Sequence, residues 1–221
     1  MRQQRPRGST TRETVINAAL QVVDRVGVDA LTIRAVASAA GAPPMSLYTH
    51  FANKEELLDL MYAEMSRRMY ADTGHDTWQA ELLGLAQQVR QTLLAHPRWA
   101  TLLSRPAPPL SVAARERVLS MMTTQGMPAA DALRCFSTAM VVAIGLSLVE
   151  LTFREPDGAS SFARRFERLR TWFEQDSTSL EPTSREAFSA ARHFDLGETF
   201  DLAMRTLVAG SELRGSTNRS D

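Results

Sequence analysis

A single cysteine, Cys135, stands among 221 residues, so the chain can form no internal disulfide. That points to a reducing compartment, and the cytoplasm is the expected location. Cys135 falls in the middle of a long apolar helical stretch, where an inert buried thiol is the expected use. Lysine is almost as scarce, with Lys54 the only one. The longest apolar stretch, residues 139–149, is too short and too interrupted to cross a bilayer. The first eleven residues are basic and polar and contain no apolar core of a secretory signal. The hydrolase and metalloenzyme signatures G-x-S-x-G, H-E-x-x-H and C-x-x-C are missing, as is a glycine loop that would cradle phosphate. Four scattered histidines and one cysteine assemble no catalytic set, so no enzyme, no cofactor and no metal are expected.

Net charge is also lacking, with 25 basic residues against 25 acidic ones. The balance hides an asymmetry. Up to Lys54 there are seven basic residues (Arg2, Arg5, Arg7, Arg12, Arg25, Arg34, Lys54) against three acids (Glu13, Asp24, Asp29), a surplus of four that the remainder cancels. A basic front end on an acidic body suits one polyanion-binding face rather than a general nucleic-acid adhesive.

What is present is helical throughout, with 44% hydrophobic residues to build a core. No convincing alternation of apolar and polar residues reads as a strand, so the fold expected is all-α. Residues 1–9 read as a flexible basic arm. Thr10 with Glu13 reads as a capping box opening a first helix, whose stripe is Ile16, Ala19, Leu20 and Val23 and whose stop is Gly27. Thr32 opens a short second helix that ends at Gly41. Pro43 and Pro44 fit only at or before the first turn of a third, expected over residues 44–50. Asn53 with Glu56 forms another capping box, and Leu57, Leu58, Met61, Met65 and Met69 face inward along the helix that follows. Further helices are expected near 77–95, 98–104, 111–125, 128–154, 161–174 and 195–212, separated by proline and glycine. The helix near 161–174 carries the stripe Phe162, Phe166, Leu169 and Phe173. Residues 175–192 are rich in Ser, Thr and Glu and read as mobile.

The segment 32–54, TIRAVASAAGAPPMSLYTHFANK, carries the function. Two short helices joined at Ala40-Gly41-Ala42 need a small residue where they cross and a glycine in the turn, and Ala37 and Gly41 supply them. Val36, Ala40 and Leu47 are spaced to close a small core on the first helix. This is the helix-turn-helix pattern, whose second helix enters the major groove of DNA.

At these residues the chain resembles the tetracycline-repressor (TetR) family of bacterial regulators. The resemblance rests on Ala19, Gly27, Leu31-Thr32-Ile33-Arg34, Val36-Ala37, Ala40-Gly41, Ser46-Leu47-Tyr48, His50-Phe51 and Asn53-Lys54-Glu55-Glu56-Leu57-Leu58. It continues in Gln125-Gly126 with Ala132-Leu133, and in Phe194-Asp195-Leu196-Gly197, which look like the C-terminal domain of the tetracycline repressors themselves. It implies a three-helix DNA-binding domain over 1–55 and a larger helical ligand-binding and dimerisation domain over 56–221. It also implies a cytoplasmic homodimer bound to double-stranded operator DNA and released by a small molecule. A helical interaction module, or an activator without inducer release, is the alternative.

Within that resemblance, Tyr48 and His50 belong against the phosphates flanking the groove. Thr32, at a helix N-terminus, offers its hydroxyl and backbone N–H to a phosphate. Lys54, in the first turn of its helix, gains nothing from the helix dipole and makes sense as a phosphate ligand. Base edges are left to Arg34, Pro44, Met45, Ser46 and Thr49. Arg34 suits guanine, while Pro44, Met45 and the Thr49 methyl suit thymine methyl groups. Many relatives carry a polar pair where Pro43-Pro44 stand, and glycine at Met45, so the operator sequence does not transfer.

In the body, Trp78, Leu82, Leu85, Val89, Trp99, Leu103, Met121, Phe136, Met140 and Ile144 are large or soft side chains suited to lining a cavity for an apolar or amphipathic ligand. The tetracycline repressors hold a magnesium–drug chelate through a body histidine. Here His75 and His96 fall in or near loops, and Glu150 alone aligns with an acid near the metal shell, so neither tetracycline nor a metal is expected. The helices near 128–154 and 195–212 resemble the pair that forms the dimer interface. The exposed apolar candidates there are Val142, Leu146, Val149, Phe200, Met204, Leu207 and Val208.

Overall fold

The computed structural model describes residues 10–104, 112–154, 161–175, 183, 186 and 195–217. The arm at 1–9 and most of the segment expected to be mobile lie outside the described residues. Among the described residues the helices are α1 (Arg12–Val26), α2 (Ile33–Ala40), α3 (Pro44–Leu47), α4 (Lys54–Met69), α5 (Trp78–Ala95), α6 (Val112–Thr124), α7 (Ala129–Thr152), α8 (Ser161–Gln175) and α9 (Leu196–Thr217), with a 3₁₀ helix at Pro97–Ser104. The fold is all-α. The chain divides into two compact units: Met1–Asp72 with Gln91–Arg115, and Thr73–Arg90 with Glu116–Asp221.

The first unit closes around α1, which packs on α2, α4 and the 3₁₀ helix. Its core joins Val15, Ala19, Leu20 and Val23 to Val36, Ala37, Leu47, Leu57, Met61, Met65 and Met69, all fully or nearly fully buried. At ~1.5–3 kcal/mol for each large apolar side chain buried, this core sets the unit's stability. Ile16, expected as the first member of the α1 stripe, is only half-buried, while Val15 beside it is fully buried.

The cap on α1 corrects the sequence reading. Thr11, not Thr10, is the N-cap, and its hydroxyl accepts from the Thr14 N–H at 3.1 Å, with Glu13 outside the cap. A helix start one residue later moves the N3 amide from Glu13 to Thr14. The caps of α2 and α4 fall where expected: Thr32 accepts from Ala35 and Asn53 from Glu56. Glu56 answers by accepting from the Ala52 N–H at 2.7 Å, one residue beyond the reciprocal bond expected to Asn53. Gly41 ends α2 in the left-handed region, φ 65°, where only glycine is free of Cβ strain.

Around the 3₁₀ helix, Trp99 is buried with its ring stacked 3.8 Å from that of His96, and the Arg68 guanidinium lies 5.4 Å from its centroid. His96 meets Asp24 at 3.0 Å. Arg98 donates to the carbonyls of Asp24 and Arg25, acceptors that the last turn of α1 leaves open. Trp99 and Leu103, read from sequence with the ligand-lining set, therefore fall in the first unit.

In the second unit α7 packs on α9. α7 is long and apolar enough, by length and composition, to cross a membrane, which exceeds the shorter run seen in the sequence. Its buried side (Ala132, Cys135, Phe136, Ala139, Met140, Ala143, Ser147) is used as a core helix uses one. Phe200, Met204 and Val208 are buried within this single chain, which corrects their assignment as exposed: they are the side of α9 that the chain covers itself. Cys135 is buried, and burial pushes its thiol up although Ser211 accepts from it at 3.2 Å. In α8, Phe162 and Phe166 are half-buried while Leu169 is exposed, so the expected stripe turns out of the core at its third member.

Candidate nucleic-acid interface

The tip of the first unit is built by one anchor and a set of local bonds. Leu47 is fully buried, and it fixes α3, a single turn, on α2. Proline at positions 43 and 44 removes two N–H donors, and α3 has no side-chain N-cap. The loss is offset from the other direction. The Ser46 hydroxyl donates to the Pro43 carbonyl at 2.7 Å, and the Thr49 hydroxyl to the Ser46 carbonyl at 2.7 Å. These back-bonds close α3 at Leu47 instead of His50, leaving residues 48–50 as turns, with His50 N–H on the Leu47 carbonyl at 2.9 Å.

With Leu47 inward, its neighbours must point out. Met45 is 77% exposed and Tyr48 47% exposed, and Pro44 and Thr49 are exposed as well. Tyr48 is braced by Phe51, the ring centroids 5.9 Å apart, while Phe51 itself is core. Thr32 and Arg34 are exposed at the start of α2, and Ser46, His50 and Lys54 are half-buried. The structure thus places all nine sequence-derived DNA-contact candidates on the first unit, between the start of α2 and the start of α4.

The hydrogen bonds refine what each group has left to give. Thr32 Oγ1 already accepts from Ala35, so its hydroxyl hydrogen is the part free for a phosphate oxygen. Ser46 and Thr49 have spent their hydrogens on carbonyls and can only accept, which suits the amino groups of cytosine or adenine. That acceptor role could not be seen in the sequence, because it depends on which way two hydroxyls turn.

The other candidates divide between the units. Trp78, Leu82, Leu85 and Val89 on α5 and Phe136 and Met140 on α7 are buried in the second unit, Ile144 is half-buried there, and Met121 on α6 is half-buried too. Glu150, the one residue aligned with a metal-shell acid, is held by both nitrogens of an Arg90 fork at 2.8 and 2.9 Å. Among the described residues no group of three His, Cys, Asp or Glu is arranged to hold a metal ion. Two features escaped the sequence reading. Glu81 is fully buried and accepts from the Thr73 N–H, the Thr73 hydroxyl and the His75 N–H, tying residues 73–75 to α5. Tyr62 and Ser66 on α4 and Tyr70 at its C-cap are buried residues with hydroxyl groups. A buried acid or tyrosine in a helical pattern gives no signal by spacing alone.

Of the dimer candidates, Val142, Leu146 and Leu207 are half-buried and Val149 is exposed. The same two helices expose Val141 (69%) and Leu202 (68%), which the sequence reading did not select.

Comparison with known proteins agrees with this geometry. Residues 15–61 match the model of the bacterial regulatory proteins of the tetR family, and residues 70–212 match that of the tetracyclin repressor-like C-terminal domain. An HTH-type transcriptional regulator of Saccharopolyspora erythraea is 29% identical over 96% of this chain and 91% of its own. The class A tetracycline repressor protein from transposon 1721 of Escherichia coli is 34% identical over 62% of this chain and 65% of its own. The Streptomyces coelicolor TetR family protein ActR, solved in complex with actinorhodin, has a TM-score of 0.70 at 22% identity, covering 94% of this chain and 99% of that one.

Proposed function

The chain belongs to the tetracycline-repressor (TetR) family of bacterial transcription regulators, and from that premise we propose that it is a cytoplasmic repressor, a homodimer that leaves a palindromic operator when a small apolar or amphipathic molecule binds. The observation that carries the DNA-binding part is the tip at α3. Leu47 is sunk into the core while Met45 and Tyr48 are held outward beside it. Large side chains grouped outward on one short turn are available to a partner, and such a turn is what a helix-turn-helix presents to base edges. Thr32, Tyr48, His50 and Lys54 serve the phosphates, and Arg34, Pro44, Met45, Ser46 and Thr49 the bases. The chemistry belongs to a binding protein, with no catalytic step.

A second copy covers the outer faces of α7 and α9. Besides Val141 and Leu202, these faces expose Gly145 and Gly210, each with open space where a Cβ would stand. Glycine inside an exposed helix costs ~1 kcal/mol relative to alanine, and a partner helix approaching closely is what offsets it. Two-fold pairing would present two tips to half-sites about one turn of DNA apart, ~34–36 Å. The ligand belongs to the apolar body, and with Glu150 committed to Arg90 it is not a metal chelate.

The test is fluorescence anisotropy of a labelled duplex from upstream of the protein's own gene, at modest ionic strength. Nanomolar binding by a dimer is expected, with an unrelated duplex bound far more weakly and released as salt rises. Equal affinity for any sequence would overturn the regulator reading.

A further inference from the structure

Residues 35–53, which hold all of α3 and the turns after it, contain no lysine and no arginine. Guanine shows only acceptors, N7 and O6, in the major groove, and a strong donor takes it, most often arginine. Side-chain donors are scarce at this tip. Pro43 and Pro44 lack even the backbone N–H. The Ser46 hydroxyl donates to the Pro43 carbonyl and the Thr49 hydroxyl to the Ser46 carbonyl, each at 2.7 Å. A hydroxyl that keeps such a bond offers a base its lone pairs and no hydrogen. Asn53, the one amide side chain of the segment, has its oxygen on the Glu56 N–H. Tyr48 and His50 stand beyond α3, in the turns read above as serving the phosphates.

What α3 presents is apolar. Met45 is 77% exposed, and Pro44 before it is exposed as well. Met45 lies two residues before Leu47, about 200° around a helix axis, so the fully buried Leu47 fixes Met45 on the outward side. A thioether side chain donates no hydrogen bond, and its unbranched stem adapts to a small apolar group. In the major groove that group is the C5 methyl of thymine. We propose that Met45 is the specificity residue of the tip: it requires a 5-methylated pyrimidine beneath α3, while Arg34, exposed at the start of α2, takes the guanine of the half-site. The contact is to the methyl and not to the pairing edge, so 5-methylcytosine satisfies it where cytosine does not. This deepens the reading of the chain as an operator-binding regulator and rests on it.

Selection from a random pool of duplexes by the full chain supplies the operator. Each thymine of its half-sites is then replaced in turn by deoxyuridine, which lacks only the methyl. At one position deoxyuridine should lower affinity about fourfold per half-site, the scale of one methyl leaving an apolar contact, and about sixteenfold when both half-sites carry it. A C·G pair at that position should also bind weakly, and its 5-methylcytosine version about fourfold more tightly per half-site. In Met45→Ala the sixteenfold ratio should shrink to within about threefold, and Met45→Leu should restore it. Neither change touches the core. Arg34→Ala should remove the guanine preference from a repeated selection and keep the deoxyuridine ratio. Deoxyuridine bound as tightly as thymine at every position, a ratio that survives Met45→Ala, or a guanine preference that survives Arg34→Ala overturns the proposal. An enriched sequence that shows no difference between thymine and deoxyuridine leaves the regulator reading standing. A pool from which nothing is enriched strikes that reading, and the Met45 proposal with it.

Discussion

The recognition segment, residues 32–56, and the second unit place their hydrogen bonds at different ranges along the chain. In the recognition segment the bonds that shape the tip join near neighbours: Thr32 with Ala35, Ser46 with Pro43, Thr49 with Ser46, Asn53 with Glu56 and Glu56 with Ala52. In the second unit, Arg90 meets Glu150, Cys135 meets Ser211 and Gln87 meets Asp201, pairs drawn from different helices. The first kind of bond is written within one turn of sequence. The second exists only once helices far apart in the chain are docked. A tip built locally on a single buried anchor can vary its outward side chains freely, while the body cannot change one partner without stranding the other.

The largest effect expected of a change in the recognition segment is at its anchor. Leu47→Ala should cost ~2–5 kcal/mol in urea unfolding and abolish operator binding, because the cavity lies beneath the tip. A loss under ~1 kcal/mol would mean that local bonds hold α3 without its core contact. In the second unit, Glu81→Ala removes the acceptor of three donors at a fully buried position. It should lower stability by ~3 kcal/mol, since each stranded buried donor carries ~1–3 kcal/mol. Unchanged urea midpoints would show that water replaces the carboxylate.

The Arg90–Glu150 pair is smaller, because both side chains keep about a fifth of their surface in water (21% each). A double-mutant cycle with Arg90→Met and Glu150→Gln should give a coupling of ~1 kcal/mol, reduced by added salt. Zero coupling would make the fork incidental and reopen Glu150 to other ligands. Smallest in stability, and sharpest for function, is Lys54→Ala. Its unfolding free energy should stay within ~0.5 kcal/mol of wild type, while the slope of log affinity against log salt should fall by ~1.8, or ~0.9 for each protomer of the dimer. An unchanged slope removes Lys54 from the phosphates.

Much of this molecule could be read in advance because helices announce themselves. Gly41 and Pro128 punctuate the chain, and Met61, Met65 and Met69 keep the spacing of a buried face. Where reading failed, the cause was a choice that spacing does not make. Phe200, Met204 and Val208 look the same in sequence whether the same chain or a second copy covers them, and the chain itself buries them. The Thr11 cap displaced Thr10 by one residue, since both carry the same hydroxyl and the helix start decides which is used.

By itself, the order of residues determined that this chain is helical, which stretches form its helices to within a few residues, and that a helix-turn-helix stands near its basic end. Those are outcomes of local physics: capping hydroxyls, left-handed glycines, prolines without donors, and apolar periodicity. Only the folded structure decided that the Ser46 and Thr49 hydroxyls donate to backbone carbonyls, that Glu150 belongs to Arg90, and that Tyr70 keeps a buried hydroxyl without a partner. Each depends on where a side chain's last atom points after distant helices meet, and no pattern along a single chain encodes that direction.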